Sequence, residues 1–437
     1  VRAILDFRGR HATDLKSVSP RGLVKARRAM ALGLIISVLG DRVVAGGVDG
    51  IVVAGAIPVI WVAISTTVEE SIVFLFPAYA RLLKKFSPDW TLITEDLAEA
   101  FLAFLATAAL LLFPQWGLWP LIAYLLVLML LTPVTDIADE FYGAKLARVS
   151  EKLAMDYNAS IAATLSIAGF VVAVPLGAII ASQSAVAILL VNVALSLIGA
   201  LTRARISRQV RVGPAIDEDE SEFDVVGARM RARQFMHDLF RSGPASPALS
   251  FILGVIGALT GHLLLLWAAG LVGVSPFMAT SLIFFVFGIS AAAGPLIASR
   301  LAGRFSTELS LVVTAVMSVL NICWFAIYLG FAEKPSVVVA IGFIVVNVIV
   351  GRLRNTVLET HRQRFFKGSQ YARVMSWSYA FGGAGTLIGM WLAYGMGVPT
   401  SPQAALWLAA ILWIPPAILV ASRVKPKESV SADRKAP

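Results

Sequence analysis

The sequence predicts an all-α polytopic membrane protein, twelve transmembrane helices in two six-helix bundles related by a pseudo-two-fold axis along the membrane normal. Three observations carry this. The chain is 58% hydrophobic and 15% charged over 437 residues, with a mean hydropathy of +0.80, and its apolar runs of about 20 residues are the length that crosses a bilayer. Its basic residues fall almost entirely on one side of those runs. A short sequence repeat sits at corresponding points of the two halves.

The spans, in order, are 29–54, 56–82, 94–113, 117–139, 158–182, 184–202, 247–272, 275–299, 307–331, 335–357, 371–396 and 403–423. They are separated by charged stretches or by Pro/Gly turns. Of the 37 Lys and Arg, only Lys334 falls in an odd-numbered connection and only Arg42 deep inside a span. This asymmetry places both termini in the cytoplasm and requires an even span count.

The resulting domains are a cytoplasmic N-terminal tail (1–28), an N-terminal bundle (29–202), a cytoplasmic linker (203–246), a C-terminal bundle (247–424) and a cytoplasmic tail (425–437). The N-terminal tail lacks the apolar core and small-residue cleavage site of a signal peptide. Its opening Val points to an unusual or missing initiator. In the linker an acidic run from Asp217 to Asp224 precedes Val226 to Arg241. Met230, Phe235, Met236, Leu239 and Phe240 alternate there with Arg229, Arg231, Arg233 and Arg241, a pattern that fits an amphipathic helix on an anionic leaflet or a solvated linker helix.

After the second span comes Ala80-Arg-Leu-Leu-Lys-Lys-Phe-Ser87, and after the eighth Ser299-Arg-Leu-Ala-Gly-Arg-Phe-Ser306. Parallel six-span repeats with a site at their interface are an established transporter plan.

Charge inside the first two spans is the main functional signal. Counting about 1.5 Å of rise per residue from Arg27 and Arg28, Asp41 lies roughly 20 Å into a hydrocarbon core about 30 Å thick. Glu69 and Glu70 reach a similar depth. An ionised group there costs about 3 kcal/mol on insertion scales, so such residues face a protein interior or a hydrated path. Asp41, Arg42, Glu69 and Glu70 are therefore the proton-coupling candidates. Asp41 and Arg42 point about 100° apart on a helix, so one of them is expected to pair with Glu69 or Glu70. A static pair that fixes helix packing is the competing reading. Asp49, near the outer end of its span, is expected at a wet surface.

Trp61, Thr66, His262, Asn321 and Asn347 are polar or amphipathic residues within spans and are the substrate-cavity candidates; satisfaction by a neighbouring helix is the alternative. Arg81, Lys84, Lys85, Asp136, Asp139, Arg300, Arg304, Arg352 and Arg354 stand at inner span ends, where charge pairing would close a cytoplasmic gate. Glu140 and Glu359 adjoin them. Trp116 and Trp119 fit interfacial anchors.

Several classes find no support. The formal net charge of +10 is accounted for by the loops and does not imply nucleic acid. The four histidines lack metal-ligand spacing, and Cys323 alone forms no intramolecular disulfide. There is no phosphate-binding Gly-Lys-Ser/Thr loop and no nucleophile elbow. No cofactor, metal or enzymatic activity is expected.

With these residues in view, the chain resembles the major facilitator superfamily over residues 29–424, and within it the bacterial exporters of the macrolide-efflux and enterobactin-exporter type. Ser37-Val-Leu-Gly40-Asp41 is similar to their Ser-x-x-Gly-Asp pattern in the first span. Ala80 to Phe86 aligns with the superfamily's loop Gly-x-Leu-x-Asp-Arg-x-Gly-Arg, but Lys84 replaces the acid and Ala80 the glycine, which puts that loop's salt bridge in doubt. Gly169, Ala173, Gly177 and Ala178 resemble the antiporter motif of the fifth span, with Pro175 one position late. Tyr371, Arg373 and Ser376, followed by Gly382, Gly383, Gly385 and Gly389, resemble the start of span eleven. The resemblance implies a monomeric, proton-coupled exporter of a small organic molecule (antibiotic, siderophore or other metabolite) in a bacterial inner membrane, working by alternating access. Transport of lipid or lysophospholipid, nutrient import, and a sensor that has lost transport are the alternatives.

Overall fold

The structure is a computed structural model that describes residues 20–75, 79, 82–83, 86–149, 164–207, 246–301, 307–365 and 368–421. The loop motif at 80 to 86 lies largely outside these residues, as do the linker and the terminal tails beyond them.

Every expected span is occupied by helix. In chain order these are α1 (Pro20–Val53), α2 (Ile60–Val73), α3 (Pro88–Leu112), α4 (Trp119–Val149) and α5, a π-helical turn Leu165–Ala173 continuing as Val174–Ala181. They continue with α6 (Ala185–Ser207), α7 in two pieces (Pro247–Leu259 and His262–Gly270), α8 (Pro276–Leu301), α9 (Thr307–Phe331), α10 (Val337–Phe365) and α11 (Gly368–Gly395). The last, α12, is again in two pieces (Gln403–Leu412 and Ile414–Ala421). Among the described residues there is no strand. Among the described residues seven helices are individually long and apolar enough to cross a membrane. Others are shortened by breaks or carry embedded acids, as α3 does.

Local signals fix several ends. Pro in the first turn, where the missing N–H is not needed, starts α3 and the first piece of α7. At the last of these the Ser246 hydroxyl accepts from the Leu249 amide at 3.2 Å. Gly55, Gly117, Gly273 and Gly397 take positive φ at the turns after α1, α3, α7 and α11, which is how these short odd-numbered connections reverse direction.

The radial distribution of side chains is that of a protein in lipid. On α3, Glu95, Asp96 and Glu99 are buried while Leu97, Phe101, Phe104 and Leu105 are exposed. On α9, Thr314, Ser318 and Asn321 are buried while Val316, Met317 and Leu320 are exposed. Water would enforce the reverse arrangement.

The chain divides into two compact units, Val1–Ala228 with His262–Ala292 and Arg229–Gly261 with Ala293–Pro437. The same helix crossing is built in each. In the first, a β-carbon on Gly46 would strike the Val174 carbonyl and one on Gly177 the Val43 carbonyl. In the second, a β-carbon on Gly254 would strike the Gly382 carbonyl and one on Gly385 the Phe251 carbonyl. The four positions map by one common offset (43 to 251, 46 to 254, 174 to 382, 177 to 385), so α1 against α5 and α7 against α11 share register as well as closeness. Glycine is required because the backbones touch. This repeat is far more regular than the loop echo at Ala80 and Ser299.

Two helices depart from regularity. Span seven breaks at Thr260 and Gly261; the Asn347 amide donates to the Thr260 carbonyl at 3.5 Å, and the Thr260 hydroxyl to the Ile256 carbonyl at 2.9 Å. In α5 the π turn precedes Pro175, which has no N–H to give. Ser281 Oγ donates to the Pro175 carbonyl at 2.8 Å from α8.

Candidate functional site

The first unit encloses a polar cluster between α1, α3, α4 and α6. Glu95, Asp96 and Glu99 are 6%, 0% and 1% exposed. Glu95 and Glu99 are four apart, and Asp96 and Glu99 three apart, so all three share one helix face. On α6 the facing stripe is Asn192, Ser196, Gly199 and Arg203, spaced at 4, 3 and 4 residues and buried throughout.

Arg203 Nη1 donates to Asp96 Oδ2 at 2.8 Å and to the Leu92 carbonyl at 3.0 Å, with both side chains of the ion pair fully buried. Glu99 Oε1 accepts from Asn192 Nδ2 at 2.6 Å and from Ser196 Oγ at 2.9 Å. Asn192 Nδ2 also donates to the Tyr124 hydroxyl at 2.5 Å. Ser37 bonds Asp96, and Thr135 bonds Glu95. At the basic end of α6, Ser207 Oγ bonds Asp89.

Asp41 joins this cluster from α1. Its carboxyl lies close to that of Glu99, and the small neighbours Gly40 and Gly33 let α1 approach Asn192 and Arg203. Four acids thus face one guanidinium. Asp41 Oδ1, Glu95 Oε2, Asp96 Oδ1 and Asn192 Oδ1, with Arg203 Nε and Nη2, have no hydrogen-bond partner among the described residues although they are buried.

Arg42, one residue on, points to a second group. Its guanidinium carbon lies 4.7 Å from the centroid of the Phe170 ring, on the π turn of α5. Phe170 meets Phe287 edge-on at 5.2 Å. Arg42 and His262 lie near enough to Glu69 for their charges to reach it, as that of Glu69 reaches Glu70. His262 Nε2 lies 2.9 Å from Asp49 Oδ1, with its ring edge-on to Phe284 at 5.9 Å.

The sequence-predicted residues therefore separate. Asp41 goes with Glu95, Asp96 and Glu99, while Arg42, Glu69, Glu70 and His262 form the other group. Asp49 is a correction: expected at a wet surface, it is 8% exposed because His262 takes its carboxylate. Thr66, buried like Trp61, donates to the Val62 carbonyl of its own helix at 2.8 Å. Asn321 donates to the Phe343 carbonyl at 3.2 Å and accepts from Trp324 Nε1 at 3.0 Å, and Asn347 holds the break in α7. These three have protein partners of their own.

Of the gate candidates, Asp136, Arg300 and Arg352 are exposed and Asp139 is half-buried. Arg354 turns onto the Trp413 ring at 5.0 Å. Arg81, Lys84, Lys85 and Arg304 lie outside the described residues, as do the side chains of Glu140 and Glu359. Trp116 and Trp119 are 51% and 70% exposed.

Sequence reading missed Glu95, Asp96, Glu99, Asn192 and Arg203. The usable signal was the three-acid face inside an apolar span, matched by the α6 stripe; Arg203 was counted with the loop cations. Among the described residues no three His, Cys, Asp or Glu side chains are grouped closely enough to hold a metal ion.

No protein-family model matches the sequence, and no curated protein does. Solved structures do match. A bacterial homologue of the iron transporter ferroportin in an inward-facing state is 17% identical, with a TM-score of 0.60 over 90% of this chain and 98% of that one. The nucleoside transporter NupG is 14% identical, with a TM-score of 0.61 over 91% and 100%. A peptide transporter, POT, solved in complex with alafosfalin, is 12% identical, with a TM-score of 0.65 over 90% and 94%. With its helices, repeat crossings and lipid-facing surface, the chain has the fold of a major facilitator-type membrane transporter.

Proposed function

We propose that the protein is a proton-coupled secondary exporter of a small organic molecule, with the Asp41, Glu95, Asp96 and Glu99 cluster as its proton-carrying site. The observation that carries this is the excess of acids in that cluster over Arg203, the one guanidinium ion-paired with it among the described residues. In a bilayer such a group is stable only when protons neutralise the surplus, so a change in hydration would load or release them. Asp41, on the helix that also presents Arg42 to the aromatic group, links proton occupancy to a separate site in the same unit. Arg42, Glu69, Phe170 and Phe287 offer charge of both signs beside aromatic rings, which suits a polar organic solute better than a plain lipid. Outward direction and a bacterial inner membrane with both termini inside rest on the sequence resemblance and on the loop charges. The two-bundle division draws support from the repeated crossings.

The test is solute-driven proton movement in proteoliposomes under an imposed pH gradient. Wild type acidifies or alkalinises the lumen with the solute, and Asp41→Asn abolishes this. Flux indifferent to the gradient would remove the coupling claim.

A second reading has one observation in its favour: the unpartnered acceptors of the acidic cluster also suit a cation, and the ferroportin homologue is described as an iron-transporter relative. It requires the cluster to rearrange before three acids converge. Metal-dependent, pH-independent uptake would favour it.

A further inference from the structure

Helices α1, α2, α5, α7 and α8 of the first unit build a row of rings with charge at both ends. Phe170 of α5 meets Phe287 of α8 edge-on at 5.2 Å, Phe287 meets Phe284 at 6.3 Å, and Phe284 meets His262 of α7 at 5.9 Å. A β-carbon on Gly288 would lie 2.7 Å from the Phe170 carbonyl carbon, so α8 reaches the π turn of α5 only because that position is bare. The row ends in Arg42, 4.7 Å over Phe170, and in Asp49, 2.9 Å from His262 Nε2. Glu69, on α2, is near enough for the charges of both Arg42 and His262 to reach it. Among the described residues Arg42 and Glu69 nevertheless do not close into an ion pair with each other, and both side chains are exposed. Charge exposed at that depth of a span faces water rather than acyl chains, so the two line a hydrated opening. Phe170 and Phe287 are half-buried beside it.

We infer that this opening takes an organic zwitterion built on a flat ring, its carboxylate held by Arg42, its ammonium by Glu69 and its ring against Phe170 and Phe287. A solute with an anionic group alone meets the repulsion of Glu69 and Glu70, and one with a cation alone meets that of Arg42. A zwitterion satisfies both and fills the space that keeps them apart. Arg offers a carboxylate a planar pair of donors, and a flat ring extends the edge-on packing already present in the row. Asp49, buried against His262, holds the far ring and leaves Glu69 as the carboxylate at the opening. The inference deepens the reading of this group as the solute site and rests on it, but it requires neither proton coupling nor outward transport.

The experiment titrates the purified full-length protein in neutral detergent, with calorimetry and thermal unfolding as readouts. The probe para-aminomethylbenzoate should bind and raise the unfolding midpoint. Its analogues para-toluate, without the ammonium, para-methylbenzylamine, without the carboxylate, and aminohexanoate, without the ring, should each bind about tenfold more weakly. Arg42→Gln should cease to distinguish the zwitterion from para-methylbenzylamine, and Glu69→Gln from para-toluate, each variant keeping the other preference. A merely structural role for either residue would not produce that crossed pattern. Phe287→Leu should narrow the preference over aminohexanoate about threefold. Wild type that binds none of these compounds, or that takes a singly charged analogue as tightly as the zwitterion, overturns the inference. Selectivity unchanged in both charge variants places the solute site elsewhere and overturns the underlying reading with it. Titration in detergent involves no gradient, so zwitterion selectivity alongside gradient-indifferent flux removes proton coupling alone, and coupled flux of another solute without that selectivity removes the inference alone. Should Arg42→Gln fail to fold, Glu69→Gln and the wild-type series still decide it.

Discussion

Arg203 and Asp96 meet at 2.8 Å with neither side chain exposed, on helices whose other flanks face lipid. The pair is asymmetric in its consequences. Removing one partner leaves a buried charge in a bilayer and should cost about 3–5 kcal/mol, whereas replacing both with apolar residues recovers most of that. Arg203→Met should therefore lower the unfolding midpoint of the purified protein sharply, and Arg203→Met with Asp96→Leu should restore it. A double variant no better than the single one would mean that the pair is supported by more of the cluster than this bond.

Glu99 separates structure from proton chemistry. In Glu99→Gln the side-chain oxygen still accepts from Asn192 and Ser196, so the fold should hold, but the titratable group is gone. Solute-linked proton flux in proteoliposomes should fall by about tenfold or more, the usual scale for loss of a proton-transfer group, with the unfolding midpoint nearly unchanged. Full flux in this variant would transfer the proton to Asp41 or Glu95.

The membrane class and the span positions were legible in the sequence because both rest on hydropathy, which needs no tertiary information. Asp41 was legible for the same reason: one acid in an apolar run stands out. Its partners were not, because Glu95, Asp96 and Glu99 sit in the first turns of their span, where charges usually mean an interface. Only the fold shows that Asn192, Ser196 and Arg203 cover them. The lone-looking His262 and Asp49 were likewise read separately, since 213 residues separate two groups that close on each other in space.

The repeated crossings give a paired prediction. Gly177→Ala and Gly385→Ala each push a methyl group into a partner backbone, against Val43 and Phe251, and overpacking of this kind costs about 1–3 kcal/mol. Both should destabilise to a similar degree. Gly342→Ala, with open space around its position, should be neutral or stabilise by up to about 1 kcal/mol through helix propensity. Thermal unfolding of the three variants checks this, and unequal effects at positions 177 and 385 would show that the two crossings differ in more than sequence.

The last prediction concerns the Asp49 to His262 bond, which joins α1 to the second piece of α7 just beyond the break at Thr260 and Gly261. If alternating access moves these helices apart, the bond must open once per cycle, and a covalent bridge there should arrest transport without disturbing the acidic cluster. Cys323 is the sole native cysteine, so Asp49→Cys with His262→Cys in a Cys323→Ser background gives a single reactive pair. Bridging it with a short, reducible bis-thiol reagent should abolish solute flux, and reductant should restore it. Flux that persists at complete cross-linking would make the contact a fixed brace, and the moving element would then have to be sought elsewhere in the chain.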